Sequence, residues 1–235
     1  MNYQTLRHNC PTWADYIQHD FVKQLTAGTL APDSFRHYLV QDYLYLIHYT
    51  RVMALSVYKS DTLAQMRVGQ AGINAMLDME IGMYLDLCHE WDIPLKAVES
   101  APESAVTIAY SRYLLDAAMS GSLAELYAAI APCLMGYGEI GKRIKEQGFV
   151  ADNPYQPWID VFASDEFQAI TAQNEAQINT LLAQANPTQA DKFQQLFNTA
   201  SRMEVIFGNK RLICPSPMQS ASFMANTFIY HIYYK

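Results

Sequence analysis

Apolar residues return every three or four positions along almost the whole chain, a period that predicts helices rather than strands. It runs through 12–27, 33–58, 62–91, 103–119, 122–147, 155–184 and 188–212. The breaks between these segments are rich in Gly, Pro and Asn: "AGTLAPDS", "SGS", "QGFVADNPYQP" and "ANPTQ". Pro11, Pro102 and Pro187 sit where a first helical turn accepts a residue without an N–H, and Asp33 and Ser122 are placed to cap. No alternating β-branched run marks a sheet, and no repeat or low-complexity linker divides the chain. The pattern predicts one all-α bundle of about seven or eight helices over residues 1–213.

Three of these helices interrupt an apolar face with a reactive group. In the segment 33–58, Phe35, Leu39, Asp42, Tyr45 and Tyr49 share a face, which sets the Asp42 carboxylate in an aromatic stripe. An unpaired buried carboxylate is costly, so Asp42 needs partners or a ligand. A structural aspartate accepting tyrosine hydroxyls would leave the same pattern. In 188–212, Glu204 interrupts the stripe of Phe193, Phe197, Ala200 and Phe207 in the same way. In 122–147, Leu126, Ile130, Cys133, Tyr137 and Ile140 align, so a thiol points inward with a tyrosine one turn on. Glu139 falls on another face, where a solvated or interhelical charge is expected.

Composition narrows the partners. A chain of 235 residues and 26.6 kDa builds a core without staples, since a domain of this size buries roughly 70% of its unfolded surface. Only 17% of residues are charged against 51% hydrophobic, which points to apolar surface buried between helices or subunits and so to a homo-oligomer. The net charge of −7 and the lack of any basic stripe exclude nucleic acid as the expected partner. The N-terminus has no secretory apolar run and no segment reaches the ~20 apolar residues that span a bilayer, so a cytoplasmic protein without membrane contact is expected. Cys10, Cys88, Cys133 and Cys214 form no C-x-x-C pair, which suggests free thiols rather than a zinc site or disulfides.

A buried cysteine is often an inert small hydrophobe. With two inward carboxylates and several inward tyrosines it instead suggests a polar pocket in which a carboxyl group moves protons while the thiol attacks an electron-poor ring or carbonyl.

The stretches "QDYLYL" (41–46), "AYSRYLL" (109–115), "APCLMGYGEIG" (131–141), "NPYQPWIDVFAS" (153–164) and "MEVIF" (203–207) together resemble the TenA family of thiaminase II, or aminopyrimidine aminohydrolase, proteins. The resemblance spans roughly residues 5–208 and rests on the order and spacing of the motifs. It implies a heme-oxygenase-like α bundle without heme, a homotetramer, and a role in thiamin salvage. It implies Cys133 as the nucleophile that adds to the aminopyrimidine ring, and Glu204 as the residue that moves protons at ring and leaving group, with Phe207 beside it. Asp42 and Tyr45 would bind the pyrimidine, while Tyr110 and Tyr137 would line the pocket and hold the nucleophile. Neither metal nor cofactor is called for.

Two positions depart from the family. Gly208 stands where a Trp is common, which suggests a missing pocket wall and a wider pocket, unless tail residues such as Phe223 or Tyr230 fold over it. Phe162 stands where a tyrosine is usual, with Tyr155 as a nearby substitute for the lost hydroxyl. Residues 214–235, "CPSPMQSASFMANTFIYHIYYK", form an atypical aromatic tail. Among rival functions, Asp86 and His89 have a di-iron spacing but no matching second set, and His19 is a weak heme-ligand candidate. A non-catalytic pyrimidine-binding or regulatory relative of the same fold is the other alternative.

Overall fold

The computed structural model describes residues 1–212, and every regular element among them is helical. The order is α1 Tyr3–His8, α2 Trp13–Ile17, α3 Asp20–Thr26, α4 Pro32–Tyr58, α5 Leu63–Asn74, a π-helical segment Ala75–Glu80, α6 Ile81–Glu90, α7 Leu95–Glu99, α8 Ala105–Ser120, α9 Leu123–Gln147, α10 Gln156–Ala163, α11 Asp165–Gln184, a 3-10 turn Pro187–Gln189 and α12 Ala190–Leu212. The expected all-α bundle is present, with α9 at its centre against α8, α10, α11 and α12. Helix α4 packs on α8 at one side and on α5 and α6 at the other. No helix of the described residues is long and apolar enough to cross a membrane. The expected tail at 214–235 lies outside the described residues.

Local chemistry explains where the helices start and how closely they approach. Ser122 and Glu125 form a capping box at the start of α9, as expected for Ser122. Asp33 is not a cap: Pro32 takes the first helical position, and Asp33 sits in the first turn with Arg36 Nη1 at 3.1 Å. The glycines of "GYGEIG" are packing devices. A Cβ at Gly136 would lie 2.1 Å from the Tyr16 ring, and one at Gly141 would lie 1.9 Å from the Phe162 carbonyl oxygen, so α2 and α10 reach the backbone of α9.

Two predicted segments are subdivided, and a third changes its winding. The 12–27 stretch breaks at His19, whose Nδ1 accepts the Phe21 N–H at 3.0 Å and caps α3. The 155–184 stretch breaks at Ser164, whose hydroxyl caps α11 through Phe167 N–H at 3.0 Å. The 62–91 stretch stays continuous but widens into the π segment, which uses one more residue per turn and re-aims the side chains that follow. Helices α1 and α7 are too short, at 6 and 5 residues, for a period to announce them.

Candidate active site

A chamber of about 420 Å³ enters the bundle between α4, the π segment with α6, α9 and α12, with α10 and α11 at its border. Small-molecule sites run to roughly 300–1,000 Å³, so the space suits a ring compound with a substituent.

One wall carries the thiol. Cys133 of α9 is half-buried and lines the chamber, as do Tyr45 of α4 and Glu204 of α12. Glu204 is 3% exposed, and its Oε1 accepts the Tyr110 hydroxyl at 2.9 Å. Tyr110 is buried behind that wall and stacks on Tyr45 at 5.0 Å and 26°, while Phe207 flanks Tyr45 at 5.9 Å. The Tyr45 hydroxyl is buried without a well-formed hydrogen bond, yet it lies close enough to Cys133 to favour the thiolate slightly. Burial dominates and, with the negative charge of Glu204, holds the thiol proton well above the ordinary thiol range. The resting group is therefore the neutral thiol, and attack requires a base beside it.

The opposite wall carries a chain of donors. Trp158 Nε1, a donor only, gives its hydrogen to the Tyr38 hydroxyl at 2.7 Å. The Tyr84 hydroxyl donates to Asp42 Oδ2, which leaves the short Tyr38 and Tyr84 contact to be donated by Tyr38. Three buried hydrogens thus point one way and end on the 5%-exposed Asp42, an arrangement that holds it as an acceptor. Burial and the charge of Asp42 push the Tyr84 phenol well above its ordinary range, so it stays a donor. Glu80, at the end of the π segment, shares this wall. Burial first, and then the charge of Asp42, raise its carboxyl to about 8.

The structure thus gathers Asp42, Tyr45, Cys133, Tyr137, Glu204 and Phe207 around one space, with Phe162 in its lining and Tyr110 one layer behind. Phe162 packs on Tyr137 at 5.0 Å. Two expectations are corrected. Tyr155 does not replace a chamber hydroxyl: it donates to the Leu30 carbonyl and stacks on Trp91 at 5.5 Å and 10°, outside the lining. Gly208 is not in the chamber lining either: with His19, Tyr137 and Glu204 it borders a separate small space of about 20 Å³, and Phe223 and Tyr230 lie outside the described residues. A Cβ at Gly208 would meet the His19 imidazole 2.9 Å away, so α12 backs onto the start of α3.

The remaining candidates lie elsewhere. His19 uses both ring nitrogens, one on Phe21 N–H and one on Asn209 Oδ1 at 3.0 Å, so neither is held out for a heme iron. Asp86 and His89 are exposed on α6 and do not line the chamber. Glu139 is interhelical, forked by Arg7 at 2.8 and 2.7 Å and reached by Trp13 Nε1 at 2.9 Å. Sequence reasoning missed Glu80, Tyr84, Tyr38 and Trp158. The signal for the first two was Met76, Glu80, Tyr84 and Leu87 at helical spacing, a third acid in an apolar stripe.

These features define an all-α bundle that surrounds one internal chamber with a thiol, carboxyl groups and tyrosines. The chain belongs to the TENA/THI-4/PQQC family, whose model matches residues 8–211. A Haemophilus influenzae protein named only as uncharacterized is 44% identical over 205 residues, 87% of this chain and 95% of its own. An aminopyrimidine aminohydrolase of Halalkalibacterium halodurans is 32% identical over 195 residues, 83% of this chain and 87% of its own. The crystal structure of a TenA family transcription regulator from a Silicibacter species superposes with a TM-score of 0.85 at 36% identity, covering 89% of this chain and 96% of its own.

Proposed function

We propose that this protein hydrolyses the C–N bond at the exocyclic methylene of an aminopyrimidine, either thiamin or its degradation product aminomethylpyrimidine, and releases hydroxymethylpyrimidine for thiamin salvage. The observation that carries the reading is the Cys133 thiol lining an aromatic chamber with Glu204, whose Oε1 accepts the Tyr110 hydroxyl. The aminohydrolase name of the Halalkalibacterium relative supports it.

In this reading Asp42 and Tyr45 hold the pyrimidine, the first by accepting a hydrogen bond and the second by stacking. Glu204 takes the thiol proton as the Cys133 sulfur bonds to a ring carbon, and the electron pair of that bond enters the ring. The ring then expels the substituent from the methylene, whose C–N bond breaks with its pair on nitrogen. Water bonds to the methylene carbon, and the proton it gives up makes good the one taken by a departing amine, or passes to solvent when a neutral thiazole leaves. The S–C bond breaks, aromaticity returns, and the thiolate recovers its proton from Glu204. The ring itself is the electron sink, so none of these steps calls for a metal or cofactor. Tyr137 and Phe207 wall the ring. The protein works as a cytoplasmic homo-oligomer, a tetramer in this reading, and the exposed Tyr58, Leu63, Leu77 and Met119 support an apolar contact between copies.

The test is a hydrolysis assay of purified protein on a panel of aminopyrimidines and thiamin, with hydroxymethylpyrimidine as the measured product. Release at enzymic rates is expected. Tight binding of hydroxymethylpyrimidine with no turnover on any member would make the protein a pyrimidine-binding relative and end the hydrolase reading.

A further inference from the structure

Three carboxyl groups reach the inner chamber, and the reaction above gives proton transfer to one of them and ring binding to another. We propose that the third, Glu80, is a second catalytic acid and base: it protonates the departing amine and then takes a proton from the incoming water. This rests on the hydrolase reading.

Placement is the first support. Glu80 closes the π segment Ala75–Glu80, the one widened turn among the described helices, and it lines the chamber with Tyr84 four residues on. Such turns concentrate at functional sites because they re-aim a side chain without ending the helix. Glu80 also stands apart from the thiol. Of the carboxylates whose charge acts on Cys133, Glu204 has the largest effect and Glu80 the smallest, so Glu204 suits the thiol proton and Glu80 the far end of the substrate.

The surroundings supply the second support. Asp42 and Tyr49 face this space from α4, Tyr84 from α6, Cys133 from α9 and Glu204 from α12. At the rim stand Asp160 and Glu166. No Lys, Arg or His is among the described lining residues, so nothing cationic there favours the ionised form of Glu80. The carboxyl, raised to about 8 by burial and then by Asp42, is neutral at pH 7 yet close enough to that pH to take its proton back. A general acid works best with its pKa near the working pH.

The step balances. The reacting form is the amine that has shed its ammonium proton to solvent; when its C–N bond breaks the pair stays on nitrogen, Glu80 gives that nitrogen a proton, and ammonia leaves. Water's oxygen then bonds to the methylene and its proton returns to Glu80. A thiazolium needs no such help: the departing pair cancels the charge on its nitrogen, Glu80 keeps its proton, and the proton of the incoming water passes to bulk solvent. Glu80 therefore matters for amine substrates and much less for thiamin.

The experiment measures kcat and kcat/KM on aminomethylpyrimidine and on thiamin for the parent, Glu80→Gln and Cys133→Ala. Loss of one proton-transferring group costs roughly 10²–10⁴-fold, so Glu80→Gln should lose about 10²-fold or more on the amine while its thiamin rate stays within about fivefold. The parent's amine profile should fall with a midpoint near pH 8, a limb missing from its thiamin profile and from the variant. Equal losses on both substrates, or no loss on either, would overturn the proposal. If Glu80→Gln does not fold, the parent decides alone: identical alkaline limbs on the two substrates overturn it. Cys133→Ala separates the readings. Full activity in that variant sinks the nucleophile and leaves the Glu80 comparison intact, whereas a parent inert on both substrates ends both.

Discussion

On the wall built by α9 and α12, a lone carboxylate stands beside a thiol and accepts a hydroxyl from Tyr110. On the wall built by α4, the π segment and α6, two carboxyl groups face the same space and differ in what reaches them. Asp42 terminates the donor chain from Trp158 through Tyr38 and Tyr84, whereas Glu80 is raised to about 8 by burial first and then by Asp42 as a neighbouring charge. The contrast shows how one bundle keeps a carboxylate and a carboxylic acid on one wall: donors hold the charge on one, and burial, helped by that charge, keeps the proton on the other. The thiol wall needs a base, and the opposite wall supplies an acceptor and an acid.

Breaking the thiol wall gives the largest expected effect. Cys133→Ala should lower kcat by on the order of 10³–10⁴-fold while pyrimidine binding survives, because covalent catalysis goes and the ring contacts of the other wall stay. Glu204→Gln should fall by a similar factor, and the double variant should be little worse than either single one, since the two act as a unit. Steady-state kinetics with calorimetric binding of hydroxymethylpyrimidine checks this. Full additivity of the two losses would mean that Glu204 does not serve the thiol.

Breaking the donor chain gives a middle-sized effect on different parameters. Tyr38→Phe removes the acceptor of the Trp158 N–H and the donor to Tyr84, so a buried N–H is left to find a new partner at a cost of about 1–3 kcal/mol. Tyr38 is buried and does not line the chamber. The expected outcome is a lower denaturation midpoint and a several-fold higher KM, on the order of the single hydrogen bond that steadies Tyr84 as the donor to Asp42, with kcat little changed. Tyr110→Phe, which removes a donor from Glu204, should act on kcat instead. If both variants moved the same parameter, the division of labour between the walls would fail.

The sequence made one wall more legible than the other. Asp42 and Glu204 stand out because phenylalanines and tyrosines bracket them at helical spacing, so an acid in either place contradicts its own face. Glu80 follows the same rule with Met76 and Tyr84, but Asp78 lies two residues before it in "MLDMEIGMYL" and makes the stretch resemble a solvated face. The π turn then shifts the register, and no residue type in the sequence announces it. The chain of donors was hidden for another reason: Trp158 and Tyr38 come together from α10 and α4, 120 positions apart. Gly208 shows the same limit. Its neighbour on α12 meets His19 across 190 positions, a contact that motif comparison within one helix does not contain. Tyr155 is close to Phe162 in sequence, but it precedes α10, where it turns toward Trp91 and away from the chamber.

The smallest expected effect concerns stability and needs no substrate. Glu80 has a carboxyl raised from 4.5 to about 8, first by burial and then by Asp42. The folded state therefore binds more protons than the unfolded chain between those two values, and stability must fall as pH rises through that window. The contribution of the neutral carboxyl is fully present below the lower value and is lost as pH passes the upper one. The raised phenols of Tyr49 and Tyr84, which line the chamber with Glu80, titrate above this range and do not disturb it. In Glu80→Gln the side chain carries no proton to lose, and its stability should decline less steeply than the parent's between pH 5 and 8, the interval set by the raised carboxyl. Denaturant unfolding at constant ionic strength measures the difference at several pH values. A gap between the two proteins that widens with pH in favour of Gln supports a neutral Glu80 in the resting chamber. A constant gap would mean that Glu80 is already ionised at pH 5, and the acid wall would then hold two charges rather than one.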